Sequence, residues 1–163
     1  MNLQKIYKSK QTVFDLKDLS FLLDENNYDR LKSKVAYYIK QWYLNRIRKW
    51  IFVKDTFEVK ELACKIYTPS YISFETILQE NSIIFQYDST LYLASYLNRY
   101  IEISYKDKII KIQYRKIKDE LLYDQNWIEK KEFYSQATGN RAIQDMKYLK
   151  PDFYFDRNHK NGK

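Results

Sequence analysis

The sequence predicts an α+β fold, in which three helices and a β-hairpin are followed by a smaller mixed α/β domain with an antiparallel sheet. Two observations carry this prediction. Apolar residues recur at helical spacing up to residue 42, and short runs rich in β-branched and aromatic residues dominate beyond residue 80. With 163 residues and 45% apolar composition, the chain is long enough to bury a core. We place the domain boundary so that the two domains span 1–54 and 55–163.

The first two helices are short. Residues 3–9 have one apolar face at helical spacing, and residues 13–14 form a brief extended piece. Asp15 is a suitable N-cap for a second helix over LKDLSFLL, because its carboxylate can accept from the first free backbone amides. The polar run DENN then ends this helix.

A third helix is predicted over residues 28–42, with Asn27 as its N-cap. Its apolar residues fall at i, i+3, i+7, i+11 and i+14 and share one face: Tyr28, Leu31, Val35, Ile39 and Trp42. The other face carries polar side chains: Arg30, Ser33, Lys34, Tyr37 and Lys40 or Gln41. Two β-rich runs, YLNRI and WIFVK, then flank Arg48 and Lys49 as a hairpin. Three helices followed by a hairpin is the element order of a winged helix-turn-helix.

The net charge of +8 is concentrated in this part of the chain. Residues 27–54 contain eight Lys and Arg against one acidic residue, whereas residues 55–163 contain 17 against 16. A focused basic patch attracts polyanions, because each neutralised phosphate releases condensed counterions. The candidate contacts to double-stranded DNA are the polar helix face and the hairpin cations: Arg30, Ser33, Lys34, Tyr37, Lys40, Arg46, Arg48 and Lys49. The alternative is an ordinary solvated basic face.

The apolar residues of the hairpin have a simpler interpretation. We expect at least two of Trp50, Ile51 and Phe52 to pack the hairpin on the helices. A hairpin can have charged residues at its turn and apolar residues that pack on the helices.

The second part of the chain is predicted to begin with helices and continue with strands. FEVKELACKIY is predicted as a helix, and TPSYISFETILQEN as a turn leading into another helix capped by Ser73. The strand candidates are SIIFQY, TLYLASY, RYIEISY and IIKIQYRKI, with a shorter hairpin across WIEKKEFYS. A last helix is predicted near TGNRAIQDMKYL, where Ala142, Met146 and Leu149 share a face.

Composition excludes several classes of enzyme. Cys64 and His159 are the single cysteine and histidine, so the chain contains no internal disulfide, Cys/His zinc cluster, or Ser-His-Asp or Cys-His relay. A phosphate-cradling glycine loop is also missing, and we predict no cofactor and no metal. Glu129-Lys130-Lys131, with Asp107 or Asp119, leaves a metal-dependent nuclease as a remote alternative, since such triplets arise easily when 31% of residues are charged.

Other charges and the hydropathy pattern support simple expectations. Lys118, Asp119 and Glu120 are interpreted as surface charges, as are Arg141 and Asp145, which can pair at i, i+4. The N-terminus has no apolar segment long enough for a signal peptide, and no run approaches the roughly 18 residues of a membrane span. We therefore expect a soluble cytoplasmic protein with no membrane partner.

Several segments together resemble the AbiEi-type antitoxins of bacterial toxin-antitoxin and abortive-infection systems. In the order of that family, they are VFDLKDL, LNRIRKWIFV, YTPSYISFETIL, TLYLASYLNRYIEI and YSQATGNRAIQDMKYL. The resemblance implies a winged helix that binds the promoter of its own operon and a C-terminal domain with antitoxin activity. It also implies a nucleotidyltransferase toxin, neutralised in the type IV manner without an obligatory stable complex.

The resemblance extends to particular residues. It assigns the DNA role to Arg30, Lys34, Tyr37, Arg46, Arg48 and Lys49, and it matches three basic residues of the C-terminal domain: Arg99, Arg115 and Arg141. Two positions depart from the family pattern, because Trp50 and Ser82 stand where the family has glycine. If the hairpin turn needs a positive φ at Trp50, a bulky residue there is strained. The alternative function is a protein-binding module, in which the C-terminal sheet captures a toxin or another partner.

Overall fold

The computed structural model describes residues 3–85 and 87–153. These residues form a mixed α+β structure with seven helices and nine strands, which confirms the predicted fold class at that level. They divide into two compact units, the first ending at Ile66 and the second beginning at Tyr67. The second unit is the larger of the two, not the smaller one as predicted.

The first unit contains the predicted helices and hairpin. Its elements are α1 (Leu3–Lys8), β1 (Val13–Phe14), α2 (Leu16–Leu23), α3 (Tyr28–Lys40), β2 (Asn45–Arg48), β3 (Ile51–Val53) and α4 (Val59–Ile66). The strands form an antiparallel sheet in the order β1-β3-β2. Both predicted caps are present, because Asp15 and Asp18 make a capping box at α2 and the side chain of Asn27 accepts from the amide of Arg30.

The core of the first unit corrects the predicted inner face of α3. One buried cluster joins the helices to the sheet: Ile6, Phe14, Leu19, Leu23, Leu31, Val35, Tyr38, Leu44 and Phe52. Leu31 and Val35 lie in this core as expected, but Tyr28 and Trp42 are exposed and Tyr38 is buried. Trp42 is exposed because α3 ends at Lys40, so the helical spacing that would turn this side chain inward does not continue.

Helix α4 belongs to the first unit, although the sequence analysis assigned residues 55–66 to the second domain. The carboxylate of Glu61 is 2% exposed, and it accepts from the hydroxyl of Thr12 at 2.6 Å and from the amide of Val13 at 3.0 Å. Lys65 of α4 pairs with Asp18 of α2 at 2.6 Å. These bonds satisfy backbone donors beside β1, so α4 completes the unit.

The second unit is built on one six-stranded sheet. Its elements are β4 (Ser70–Ile72), α5 (Phe74–Glu80), β5 (Leu91–Ser95), β6 (Arg99–Tyr105), β7 (Lys108–Lys116), α6 (Asp119–Tyr123), β8 (Ile128–Lys130), β9 (Ser135–Ala137) and α7 (Gly139–Leu149). The strand order is β6-β7-β5-β4-β9-β8. The sheet is mixed and not antiparallel as predicted, because β5 pairs in parallel with β7 and β4 pairs in parallel with β9.

Most of the predicted strands are present, with one exception. SIIFQY forms no strand in its described residues, since the amides of Ile83 and Ile84 both donate to the carbonyl of Leu78 at the end of α5. Residues 70–72, which were predicted as part of a turn, form the short strand β4 instead, and α6 had no sequence prediction. Helix α7 buries Ala142 and Met146 as expected.

Both positions where the resembling family has glycine adopt left-handed backbone. The φ angle is 62° at Trp50, in the turn between β2 and β3, and 55° at Ser82, just after α5. L-residues with a Cβ are disfavoured in this region by roughly 1–2 kcal/mol. The two turns therefore have the geometry that favours glycine, although neither residue is glycine.

Candidate nucleic-acid interface

The polar face of α3 is exposed along its length. Arg30, Ser33, Tyr37 and Lys40 are all exposed, and Leu31 and Val35 on the opposite side are buried. The hydroxyl of Ser33 donates to the carbonyl of Asp29 at 2.9 Å, so its oxygen remains able to accept. Four of the five predicted α3 contacts are thus presented together to solvent.

Lys34 is the exception on this face. Its ammonium pairs with Glu25 at 2.6 Å, and Glu25 also accepts from the amide of Asn27 at 3.2 Å. The hydrogen bond from Lys34, followed by that backbone bond, holds the pKa of Glu25 below its ordinary value. A phosphate that binds Lys34 must therefore compete with a carboxylate. Helical spacing does not predict this pair, because nine positions separate the two residues.

The hairpin presents two exposed cations. Arg46 and Lys49 are exposed, whereas Arg48 is half-buried beyond an irregularity in the β2–β3 register between Arg46 and Arg48. Ile51 and Phe52 are buried, which confirms that at least two of the hairpin's apolar residues pack inward. Lys40, Arg46 and Lys49 have no ion-pair partner among the residues that the structure describes.

Helix α3 and the hairpin flank a common groove of about 140 Å³. Val35 and Ile39 line it from α3, and Trp50 and Phe52 line it from the hairpin. Trp50 is therefore only 41% exposed despite its place in the turn. This packing places the hairpin beside the helix. We use the name basic face for the exposed polar residues of the two elements, namely Arg30, Ser33, Tyr37, Lys40, Arg46 and Lys49.

Two other cations of the basic segment have partners within the first unit. The ammonium of Lys54 donates to the carbonyl of Ser9 at 2.5 Å, and burial lowers the pKa of Lys54. Lys32 lies 4.4 Å from the ring centre of Tyr28 and 3.7 Å from the carboxylate of Asp29. Some of the cations that make up the net charge of the segment are thus already engaged inside the unit.

In the second unit, the three basic candidates have different surroundings. Arg99 is exposed at the start of β6. Arg115 makes two bonds to the carboxylate of Glu75, at 2.6 and 2.9 Å, and its guanidinium lies 4.4 Å from the ring centre of Tyr92. A bidentate, stacked arginine of this kind is already fully engaged.

Arg141 and Asp145 correct the expectation of surface charges, since each is only 1% exposed. The guanidinium bonds Asp145 at 3.1 Å, the hydroxyl of Tyr71 at 3.1 Å, and the carbonyl of Asn126 at 2.9 Å. Asp145 also accepts from the hydroxyl of Ser73 at 2.6 Å, so Ser73 does not cap α5 with its side chain as predicted. We call these four side chains, Arg141, Asp145, Tyr71 and Ser73, the buried polar cluster.

The buried polar cluster links three elements of the second unit. It bonds α7 to β4 and to the start of α5, where Phe74 is fully buried with a φ of 53°. Burial raises the pKa of Asp145, and its bonds to Ser73 and Arg141 oppose that rise. A usable signal was present in the sequence, because Arg141 and Asp145 alternate with the apolar Ala142 and Met146 on one helix face.

The residues of the nuclease alternative do not form a metal site. Glu129 pairs with Lys131 at 3.1 Å, and the hydrogen bond from Lys131 lowers the pKa of Glu129. Within residues 3–85 and 87–153, no group of three or more His, Cys, Asp or Glu side chains is placed to bind a metal ion. Lys118, Asp119 and Glu120 are exposed, as expected.

Comparison of the chain with models of known protein families finds no match, and comparison with curated proteins finds none either. Across the part of the chain that the structure describes, every helix is too short or too polar to cross a membrane.

Proposed function

We propose that the first unit is a winged helix-turn-helix that binds double-stranded DNA through the basic face. Helix α3 is the recognition helix, and the hairpin β2–β3 is the wing that contacts the phosphate backbone. The single observation that carries this proposal is the two-sided character of α3, with exposed Arg30 and Lys40 opposite buried Leu31 and Val35, beside a hairpin that presents Arg46 and Lys49 to solvent.

The chemistry of these side chains suits distinct parts of a duplex. Arg30 lies in the first turn of α3, and an arginine there can make bidentate contacts to guanine in the major groove. Lys40, Arg46 and Lys49 are exposed cations that neutralise phosphates without reading sequence. This division predicts specificity from the start of α3 and general affinity from its end and from the wing.

We further propose, from the resemblance to AbiEi-type antitoxins, that the protein represses its own operon in the cytoplasm and counters a nucleotidyltransferase toxin. The second unit then provides the antitoxin activity, with Arg99 as its accessible basic candidate. Arg115 and Arg141 support the fold of that unit through their internal bonds.

Fluorescence anisotropy tests the DNA-binding proposal. The full chain is titrated into a labelled duplex from the region upstream of its coding sequence, and in parallel into a scrambled duplex of equal length. We expect tighter binding to the upstream duplex and a steep loss of affinity with added salt. Absence of binding, or affinity that does not change with salt, would contradict the proposal.

A protein-binding module remains the second candidate, and one feature of the sheet favours it. Strand β6 forms an edge of the six-stranded sheet over seven residues, Arg99–Tyr105, and an edge strand can pair with an extended segment of another protein. Co-expression with the product of the neighbouring gene, followed by size-exclusion chromatography, tests it. A stable complex would favour direct capture, and separate elution would favour the DNA-based mechanism.

A further inference from the structure

Packing does not explain the position of the Trp42 indole in the first unit. Helical spacing would turn this side chain into the core, yet it is 82% exposed. Helix α3 ends two residues earlier, and Trp42 adopts a φ of 61°. Its amide donates to the carbonyl of Ile39 at 3.0 Å and the next amide, of Tyr43, donates to Tyr38 at 2.9 Å, which is the bonding of a Schellman motif.

Trp42 therefore occupies a position that is usually glycine. The left-handed backbone disfavours any residue with a Cβ, and solvent exposure forgoes the stabilisation that a buried indole would provide. The fold has no need of this ring, because Leu44 is fully buried just after the turn and Tyr43 packs on the core cluster. Residues that break local rules without a structural benefit are concentrated at functional sites.

The surroundings of Trp42 indicate what it contacts. Lys40 precedes it in the last turn of α3, and Arg46 follows it in β2, so the indole lies in sequence between the recognition helix and the wing. The carbonyls at the end of a helix carry partial negative charge, which disfavours a phosphate at this point. A neutral ring is tolerated there, and its face can stack on a sugar or a base.

We propose that Trp42 is a nucleic-acid contact of the basic face, where its indole packs on a sugar or base of the bound DNA. This inference rests on the proposed DNA binding. A protein partner is a poorer occupant, because an apolar surface that covered Trp42 and extended to Lys40 and Arg46 would also remove water from those two cations. DNA instead offers a sugar or base to the ring and phosphates to both cations within one ligand.

Replacement of Trp42 by glycine separates binding from folding. Trp42→Gly removes the indole and relaxes the left-handed backbone, so we expect unchanged or higher stability together with weaker binding to the upstream duplex, by about 5-fold or more. Trp127→Gly is a matched control, because Trp127 is also an exposed tryptophan with left-handed backbone, at a φ of 58°, but lies in the second unit. The control is expected to bind DNA as the unchanged chain does.

A spectroscopic test locates the contact directly. The sequence contains three tryptophans, so a Trp50→Phe, Trp127→Phe variant leaves Trp42 as the single indole. Its fluorescence is expected to be quenched on addition of the duplex, with a midpoint that matches the anisotropy titration. If the unchanged chain binds DNA but Trp42→Gly binds equally well and the fluorescence does not change, the inference is wrong while the proposed function stands.

Two other outcomes are also decisive. If no duplex binds the unchanged chain, the proposed function fails, and the inference fails with it. If the Trp42 fluorescence changes with protein concentration in the absence of DNA, the ring is a contact between copies of this chain, which overturns the assignment to nucleic acid.

Discussion

Removal of the Arg141 side chain is expected to destabilise the second unit strongly. Arg141→Met keeps much of the side-chain volume but leaves Asp145, itself 1% exposed, without its cationic partner. Loss of one member of a buried ion pair typically costs about 3–5 kcal/mol, because the remaining charge is desolvated and uncompensated. We therefore expect a decrease of about that size in the free energy of unfolding.

Urea denaturation measures this change in the second unit alone. Trp127 is the one tryptophan of that unit, so its fluorescence reports unfolding there when Trp42 and Trp50 are replaced by phenylalanine. Lys131→Met is a suitable control, since Lys131 pairs with Glu129 at 3.1 Å in a half-exposed pair. The control is expected to leave the denaturation midpoint within error.

A double variant tests the coupling between the charges. Arg141→Met with Asp145→Asn removes both charges, so the loss of unfolding free energy is expected to be smaller than the sum of the losses in the two single variants, by about 1–3 kcal/mol.

The loss of unfolding free energy in Arg141→Met is also expected to become smaller at acidic pH. Burial already raises the folded-state pKa of Asp145, and removal of the guanidinium raises it further. The added penalty is therefore full above the folded pKa of the variant and is lost as the pH falls below the folded pKa of the unchanged chain.

Two results would refute this reasoning. A loss below about 1 kcal/mol for Arg141→Met would mean that Asp145 does not depend on the guanidinium. Additive effects in the double variant would mean that the two residues are not coupled, despite the 3.1 Å between Nε and Oδ1.

Three further predictions concern the basic face and the turns. Lys49→Ala is expected to lower the slope of log affinity against log salt by about 0.9, and the exposed control Lys118→Ala to leave it unchanged. Glu25→Gln is expected to tighten DNA binding about two- to five-fold at low salt, because Lys34 loses its competing carboxylate; unchanged affinity would exclude Lys34 from the interface. Ser82→Gly is expected to raise the unfolding free energy by about 0.5–1 kcal/mol, as relieved strain outweighs the added chain entropy, and a lower denaturation midpoint would contradict this.

Local rules predicted the first unit well where they act within a few residues. The Asp15 and Asn27 caps need only the adjoining helical turn, and both are present. Trp42 is exposed because α3 ends two residues before it. The sequence did not indicate this helix end, because a tryptophan occupies the position where glycine usually marks one. The pairing of Lys34 with Glu25 depends on how α2 and α3 pack, and spacing alone does not contain it.

In the second unit, prediction from the sequence failed where strand direction and long-range contacts decide the structure. Strands β5 and β7 were predicted from their apolar pattern, but that pattern is the same whether the partners run parallel or antiparallel, so the mixed sheet was not foreseen. Strand β4 has three residues, which is too few for alternation to be recognised. Burial of Arg141 was mistaken for exposure because charged residues are rarely buried unless their partners come from distant parts of the chain.

The parallel pairing of β4 with β9 constrains the order in which the two units can fold during synthesis. Ile72 is opposite Gln136, 64 positions later, and Tyr71 bonds Asp145 later still. The first unit has every one of its described elements before residue 67, so it can finish folding while the ribosome is still translating the second. During that interval one edge of β4 has no strand to pair with. The nascent chain is therefore most prone to aggregation until β9 and α7 have been synthesised.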